Sequence, residues 1–244
     1  MMNKSISAFF PVLNEEGTIE KLTQDLLSIL HSKFEHREVI IINDGSTDGT
    51  GQIADELCRQ NDGYVRVIHH DQSSGYGNAL KAGFAAAQYD LVFFTDGDYQ
   101  FDMNYLYRAL SLIEGHDIVV GYRQNRKDSK LRILLARGYN LLVRILFGLR
   151  LKDIDCSFKL FRRTALEKIT IESQGYFIDT EIMVKAKKHG LKIKEFGVKH
   201  LPRTSGKSKV RMKHIFVTLL EIAKLWKRLH REINDNISNE SSPY

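Results

Sequence analysis

Two aspartates and a glutamine stand at alternate positions directly after an apolar run, and this pattern constrains the fold most. The apolar run Leu91–Phe94 is followed by Thr95-Asp96-Gly97-Asp98-Tyr99-Gln100. A short apolar run after a helix-like segment predicts a buried parallel strand. Open sheets of parallel strands bind ligands beyond the carboxyl ends of those strands. We therefore predict that the oxygens of Asp96, Asp98 and Gln100 face a ligand, and hard cations such as Mg²⁺ or Mn²⁺ prefer such oxygens.

The motif is also compatible with a polar loop and shares its first residues with a calcium-binding loop. Asp and Gly are common in loops, so the segment could simply be a polar loop that caps the next helix. A calcium-binding EF-hand loop also begins with two aspartates at this spacing. That loop then requires Asp or Asn, Gly and a distal Glu, where this chain has Gln100, Phe101 and Tyr107. The EF-hand interpretation is therefore excluded, and the polar loop remains open.

The first half of the chain alternates between strand-like and helix-like segments. At 244 residues the chain suits one large domain. The alternation predicts a doubly wound α/β fold with helices on both faces of the sheet. Strands are predicted at 6–12, 39–42, 64–69, 91–94 and 118–122, and helices at 15–34, 47–58, 77–87 and 104–113.

Positive charge is concentrated in two segments. Residues 122–152 contain nine Lys or Arg and one acid, Asp128, and residues 207–231 contain eight and one acid, Glu221. Together these segments carry +15, whereas the whole chain is +6, so the rest of the chain is acidic. A uniformly basic nucleic-acid binder is therefore disfavoured, and a localised anionic surface or ligand is favoured.

The second basic segment has the pattern of an interfacial membrane helix. One side of the predicted helix carries an apolar stripe formed by Ile215, Phe216, Leu219, Ala223, Trp226 and Leu229. Basic residues lie beside this stripe, namely Lys224, Lys227, Arg228 and Arg231. The alternative is a helix packed on the sheet with a solvated basic side. Because both basic segments also carry apolar residues, membrane contact is the favoured interpretation.

Cysteine content and hydropathy favour a protein of the cytoplasm that contacts a membrane peripherally. Cys58 and Cys156 are far apart and form no CxxC motif, which favours free thiols in a reducing compartment. No apolar run approaches the roughly 18 residues that span a bilayer. Residues 234–244 are polar and are expected to form a disordered tail.

Five motifs in this order resemble those of the inverting family-two glycosyltransferases with the GT-A fold. The subgroup that they resemble most contains dolichol-phosphate mannose synthase and bacterial polyprenyl-phosphate glycosyltransferases. The motifs are Pro11–Glu16, Asn43–Thr50, Asp96–Gln100, Asp153–Phe161 and Arg203–Lys209. The resemblance covers residues 5–225 and implies a single GT-A domain over 1–233. Each motif alone is weak, whereas the ordered set is specific.

The resemblance also implies roles for individual residues. In the subgroup the matching positions bind a UDP- or GDP-sugar, here Pro11, Asn14, Glu15, Asp44, Asp96, Arg203 and Lys209. Asp96, Asp98 and Gln100 would hold Mg²⁺ or Mn²⁺. Arg123 and Arg137 would grip the acceptor phosphate, and segments 122–152 and 207–231 would face the acceptor and the membrane. Asp98, Asp153, Asp155 and Arg203 are the implied catalytic residues.

The implied reaction transfers a sugar from its nucleotide to a polyprenyl phosphate at the cytoplasmic face of a membrane. The acceptor phosphate is mostly a dianion at neutral pH, so it needs no strong general base. A glycan, protein or other lipid acceptor would need one, and Asp153 or Asp155 would be the candidate. A dead transferase fold that serves as a membrane scaffold and a nucleotidyltransferase are further alternatives. The chain departs from the family at Phe101–Asn104, where Pro-Glu is usual, and we expect this to alter a turn and not the metal site.

Overall fold

The computed structural model describes residues 5–126, 130–203 and 217–229. Lys209, Ile215, Phe216 and the predicted tail at 234–244 lie outside these ranges. Within them, a mixed sheet of seven strands runs in the order β3-β2-β1-β4-β6-β5-β7. The strands are β1 (Ser5–Val12), β2 (His36–Asn43), β3 (Val65–His69), β4 (Leu91–Phe94), β5 (Ile118–Gln124), β6 (Lys159–Arg162) and β7 (Ile193–Lys199).

Parallel pairing dominates the sheet, as the fold class predicted. β1 pairs in parallel with β2 and β4, β2 with β3, and β5 with β7. The short strand β6 is antiparallel to both β4 and β5. The predicted mostly parallel α/β sheet is therefore confirmed. The strands β6 and β7 lie in the second half of the chain, for which no strands were predicted.

Helices cover both faces of the sheet. The helices are α1 (Ile19–Lys33), α2 (Thr50–Gln60), α3 (Tyr76–Ala86), α4 (Tyr105–Leu112), α5 (Lys130–Phe147), α6 (Arg163–Leu166) and α7 (Ile178–Lys188), with a helical segment at 217–229 that we call α8. Alternate residues of β1 point to opposite faces, as the period of a strand requires. Phe10 packs in a core with α1, α2 and α4, whereas Phe9 packs in a second core with α3, α5, α7 and α8.

Close packing between β1 and α3 depends on a glycine. A Cβ at position 83 would lie 2.1 Å from the ring of Phe9. Phe9 is fully buried and its ring also stacks on Phe94 of β4 at 5.6 Å. The glycine therefore lets α3 approach the sheet, which brings the N-terminus of α3 to the carboxyl end of β1.

The helix α8 buries two apolar residues that the predicted stripe did not include. The residues that pack into the core are Ile222 and Leu225, both about 2% exposed. Leu219 and Ala223, which belong to the predicted apolar stripe, are exposed instead. Leu229 of the stripe packs partly against the same core as Ile222, so the stripe is divided between the core and the exposed side of α8.

Candidate active site

The main cavity opens at the carboxyl ends of β1 and β4, where the sequence placed it. It has a volume of about 720 Å³. Its walls come from the ends of β1, β2 and β4, the N-terminus of α3, residues 174–176, residues 200–203 and the start of α8. The predicted site residues that line it are Pro11, Glu15, Asp44, Asp96, Asp98, Gln100, Arg123 and Arg203.

The glycine between Asp96 and Asp98 lets the motif lie against β1. A Cβ at position 97 would lie 2.7 Å from the carbonyl oxygen of Pro11 and 2.5 Å from Cγ1 of Val12. Thr18 also donates a hydrogen bond of 2.7 Å to the carbonyl oxygen of Gly97. The two carboxylates are thus held on either side of a backbone that is fixed to the end of the first strand.

Asp96 is held by donors at both of its oxygens. Ser157 donates to Oδ2 over 2.6 Å, and the Tyr76 hydroxyl lies 3.2 Å from Oδ1. Burial, followed by repulsion from the Asp98 carboxylate, raises the pKa of Asp96 to about 6. Burial and Glu15 also raise the pKa of Asp98, although Arg203 opposes this shift. A bound divalent cation would relieve the repulsion between two such close carboxylates and favour their ionised forms.

These residues fit a hard cation, although they do not form a complete cage. No cluster of three His, Cys, Asp or Glu side chains with metal-binding geometry occurs in the described ranges. The amide nitrogen of Gln100 donates to the carbonyl oxygen of Leu201 over 3.1 Å, so its amide oxygen is the atom for a ligand. Mg²⁺ typically uses one or two carboxylates and completes its shell with water and substrate phosphates.

Arg203 joins the first and fourth strands across this site. Its guanidinium donates to Asp98 over 3.1 Å and also contacts Glu15. Arg203 is 22% exposed at its side chain, whereas Glu15 is 7% exposed. A guanidinium that already lies beside the metal carboxylates is positioned to bind a diphosphate through its planar fork of donors.

Asp44 lines the cavity, yet its carboxylate is already occupied. It accepts hydrogen bonds from His70 at 2.7 Å, from the Ser73 and Ser74 hydroxyls, and from the backbone nitrogens of Ser74 and Gly75. Burial opposes ionisation, but these donors outweigh it and lower the pKa of Asp44 to about 2. Asp44 therefore holds the 70–75 loop at the wall of the cavity.

Arg123 and Asp153 form a buried ion pair. Nε and Nη2 of Arg123 donate to the two oxygens of Asp153 at 2.6 and 2.7 Å. Burial opposes ionisation of Asp153, but the Arg123 guanidinium outweighs it and lowers the Asp153 pKa. Arg123 lines the cavity whereas Asp153 does not. Asp153 thus orients the arginine, and its lowered pKa makes it a poor base.

Three other predicted residues lie outside the cavity wall. Asn14 is exposed and accepts a hydrogen bond of 2.8 Å from the backbone nitrogen of Thr47, so it ties two loops together. Arg137 is exposed on α5. Asp155 is open to solvent, but partial desolvation by the surrounding protein and then the Asp179 carboxylate raise its pKa to about 6.

The structure adds cavity residues that the sequence did not single out. Tyr76 and Tyr176 stack with ring centroids 5.3 Å apart, and Glu221 reaches the cavity from α8. Behind Tyr76, the buried Lys159 donates to Asp179 over 2.5 Å. Ser157 lies inside the motif Asp153–Phe161. Tyr76, Asp179 and Glu221 carry no local signal, because only the fold brings them to the site.

The comparisons with known proteins agree with this geometry. The family model described as glycosyl transferase family 2 matches residues 7–170. The chain belongs to this family. The match confirms the resemblance seen in the motifs and the prediction of a glycosyltransferase.

Relatives with known names are similar over most of this chain. Glycosyltransferase AglD of Haloferax volcanii is 33% identical over 81% of the chain and 33% of its own length. Dolichyl-phosphate beta-glucosyltransferase of Saccharomyces cerevisiae is 32% identical over 79% of the chain and 66% of its own length. Polyprenol monophosphomannose synthase of Mycolicibacterium smegmatis is 28% identical over 80% of the chain and 78% of its own length. The chain thus spans between one third and about two thirds of the first two relatives.

A solved structure shows the same fold. Glucosyl-3-phosphoglycerate synthase from Mycobacterium tuberculosis, in complex with Mn²⁺ and UDP-glucose, has a TM-score of 0.70. The match is 22% identical and covers 90% of this chain and 79% of that one. At 22% identity this likeness shows only the fold, and it agrees with the GT-A fold expected for this family.

Proposed function

We propose that this glycosyltransferase transfers a sugar from a UDP- or GDP-sugar to a polyprenyl phosphate at a membrane surface. The observation that carries the proposal is the cluster of Asp96, Asp98 and Arg203 at the carboxyl ends of β1 and β4. The names of the relatives support the acceptor, because two of them refer to a dolichyl phosphate or a polyprenol. The order of the five motifs supports the same subgroup.

The chemistry needs a positively charged place for the leaving diphosphate. Asp96 and Asp98, with the amide oxygen of Gln100, would hold Mg²⁺ or Mn²⁺. When bound, such a cation would neutralise charge that develops on the leaving oxygen. Arg203 would exchange its contact with Asp98 for the diphosphate, and Lys209 is expected to add a second positive charge.

The acceptor phosphate supplies the nucleophile. One of its oxygens attacks the anomeric carbon and forms the new C–O bond, while the bond from that carbon to the diphosphate oxygen breaks. The nucleoside diphosphate leaves with the electron pair, and the configuration at the anomeric carbon inverts. No proton moves, because the phosphate is already ionised. Arg123, held by Asp153, and Arg137 on α5 are the proposed cations for this phosphate.

Peripheral contact with the membrane is supported by exposed apolar side chains on α5 and α8. Leu134 is 65% exposed, Ile145 71% and Leu220 64%. Both helices lie on the same face of the sheet and also carry Lys or Arg, the composition of interfacial helices. Within the described ranges, no helix has both the length and the hydropathy to cross a bilayer. A membrane-protein partner is the alternative means of docking.

A second candidate keeps the same donor but uses a glycan, protein or other lipid hydroxyl as acceptor. The raised pKa of Asp155, about 6, favours this candidate because a general base works best near the operating pH. Asp153 is less suited, since its carboxylate is paired with Arg123.

A donor panel would separate these candidates. Labelled UDP- and GDP-sugars are incubated with a short polyprenyl phosphate and Mg²⁺ or Mn²⁺, and the label is counted in lipid and aqueous fractions. The proposal expects label in the lipid fraction for one donor, lost with chelator and in Asp98→Asn but kept in the exposed control Asp62→Asn. Label on an added glycan or protein would favour the second candidate. If the chain binds no donor, the proposal that it is an enzyme would be overturned. Release of pyrophosphate would indicate a nucleotidyltransferase.

A further inference from the structure

Glu221 occupies an unusual place for its charge. It is the one acidic residue among eight Lys or Arg in residues 207–231. The structure directs it toward the cavity, where it forms part of the wall with Val217 and Thr218 of α8. A carboxylate at this position adds negative charge to a site that must already accommodate a nucleotide diphosphate.

The Glu221 carboxyl has a buried oxygen that accepts no hydrogen bond from any residue in the described ranges. This oxygen, Oε2, is directed at Gly175, where a Cβ would lie 3.7 Å away. A buried carboxyl oxygen without a donor costs stability, so packing alone does not account for the residue. The last torsion of a glutamate side chain is soft, so rotation can present either oxygen to the cavity.

The surroundings of Glu221 identify which part of a ligand it meets. Gly175 is followed by Tyr176, whose ring stacks on Tyr76, and the Tyr76 hydroxyl is 3.2 Å from Asp96. Glu221, this aromatic pair and the Asp96 carboxylate thus line the same cavity. Among the described residues of the wall, Arg123 is paired with Asp153, and Arg203 with Asp98 and Glu15.

Charge and polarity decide between the parts of the substrates. An acceptor phosphate or a diphosphate would be repelled by a second carboxylate, and a prenyl chain offers it no hydrogen-bond donor. A sugar carries several hydroxyl donors and also packs well against aromatic rings. The sugar of the donor is therefore the group that this wall fits.

We propose that Glu221 accepts hydrogen bonds from hydroxyls of the transferred sugar and makes the enzyme select neutral sugars over uronic acids. The inference rests on the proposed function, since it assigns the sugar part of the same donor site. A uronate would place its own carboxylate close to Glu221 and Asp96, and the arginines of the described part of the wall are already paired with other carboxylates. Specificity then comes from repulsion of the wrong sugar as well as attraction of the right one.

Binding measurements on the full chain test this without the transfer reaction. Calorimetry with Mn²⁺ compares UDP-glucose, UDP-glucuronate and UDP, and likewise GDP-mannose, GDP-mannuronate and GDP. Glu221→Ala should weaken binding of the neutral sugar nucleotide about 10- to 100-fold, the range for a hydrogen bond to a charged group, without weakening binding of the free nucleoside diphosphate. Glu221→Gln should retain more of that affinity. The ratio of its affinities for the neutral sugar nucleotide and the uronate should fall about tenfold. Lys227→Gln, an exposed change on the same helix, is the matched control.

The outcomes distinguish this inference from the proposed function. Equal loss of sugar nucleotide and free diphosphate in Glu221→Ala, or an unchanged uronate preference in Glu221→Gln, would overturn the inference and leave the function intact. Failure of the unmodified chain to bind any of the six nucleotides would overturn the proposed function and this inference with it. Thermal unfolding of each variant confirms that it is folded.

Discussion

Arg203 donates a hydrogen bond of 3.1 Å to Asp98, a residue 105 positions earlier in the chain. The same guanidinium contacts Glu15 at the end of the first strand. Two carboxylates that would otherwise face a metal and a diphosphate are thus neutralised by one arginine. In the proposed function, the arginine would leave Asp98 when a cation binds there, and the diphosphate bound with that cation would become its new partner.

This exchange predicts opposite effects of Arg203→Gln on two ligands. Affinity for the nucleoside diphosphate with Mn²⁺ should fall about tenfold or more, because a bidentate charged contact is lost. Affinity for Mn²⁺ alone should rise a few-fold, because Asp98 and Glu15 lose a competing cation. Titration of Mn²⁺ with and without UDP or GDP measures both. A parallel fall of both affinities would contradict the exchange.

Asp96 should destabilise the ligand-free protein at neutral pH. Its pKa is raised from 3.8 to about 6, so the folded protein holds this proton more tightly than the unfolded chain. Its contribution to stability is therefore fully present below about pH 4 and is lost as the pH rises through 6. Asp96→Asn should raise Tm at pH 7.5 by several degrees and make little difference at pH 4. A lower Tm for the variant at pH 7.5 would show that the carboxylate is not strained by its surroundings.

Tyr76 should help to orient Asp96 for the cation. Its hydroxyl is within 3.2 Å of Asp96 and 3.4 Å of Asp179. Tyr76→Phe keeps the ring that stacks on Tyr176 and removes only these contacts. We expect Mn²⁺ affinity, measured with bound UDP or GDP, to fall by about 3- to 10-fold, in the lower part of the range for residues that support metal ligands. Tyr64→Phe, which changes an exposed tyrosine, should leave the Mn²⁺ affinity unchanged. Equal Mn²⁺ affinities of the two variants would show that Tyr76 does not support the metal site.

The Arg123–Asp153 pair predicts a stability effect that a catalytic base would not give. The Arg123 side chain is 11% exposed and that of Asp153 7%. Removing one partner of a buried pair leaves an uncompensated charge, so Asp153→Asn should cost about 3–5 kcal/mol in the free energy of unfolding. The double variant Arg123→Met with Asp153→Asn should recover part of that loss. Urea unfolding checks this, and no loss in the single variant would mean that the pair is not formed.

The exposed apolar residues of α5 predict attachment to lipid. Leu134 and Ile145 are 65% and 71% exposed, so replacing both by Gln should leave Tm nearly unchanged. Binding to vesicles with anionic lipid, measured by sedimentation, should weaken strongly, because each buried leucine or isoleucine contributes about 1.5–3 kcal/mol. Unchanged vesicle binding would transfer the docking role to a protein partner or to another surface.

The parts of the site that the sequence predicted are those that follow strands. Asp96, Asp98 and Gln100 follow β4, and Pro11 and Glu15 follow β1, so local pattern and strand order were enough to bring them together. The ordered motifs added Arg203, which no local pattern would place beside Asp98. The sheet class followed from the same alternation of strands and helices.

Other features of the predicted residues depend on tertiary contacts that the sequence does not show. Asp44 has a suitable carboxylate, but five donors from the 70–75 loop already satisfy it. For Asp153, a candidate base, only the fold shows that the carboxylate is paired with Arg123. In α8 the apolar pattern is nearly two-sided, so periodicity alone did not distinguish Ile222, which is buried, from Leu219, which is exposed.

The product of a single round of transfer tests the central claim most directly. The chain is mixed with its preferred sugar nucleotide, a short polyprenyl phosphate and Mn²⁺, and the lipid product is analysed by mass spectrometry and NMR. We predict a sugar joined to the lipid phosphate, with inverted anomeric configuration and one nucleoside diphosphate released per sugar transferred. A product with retained configuration, or release of nucleoside diphosphate with no lipid-linked sugar, would contradict direct attack by the lipid phosphate at this site.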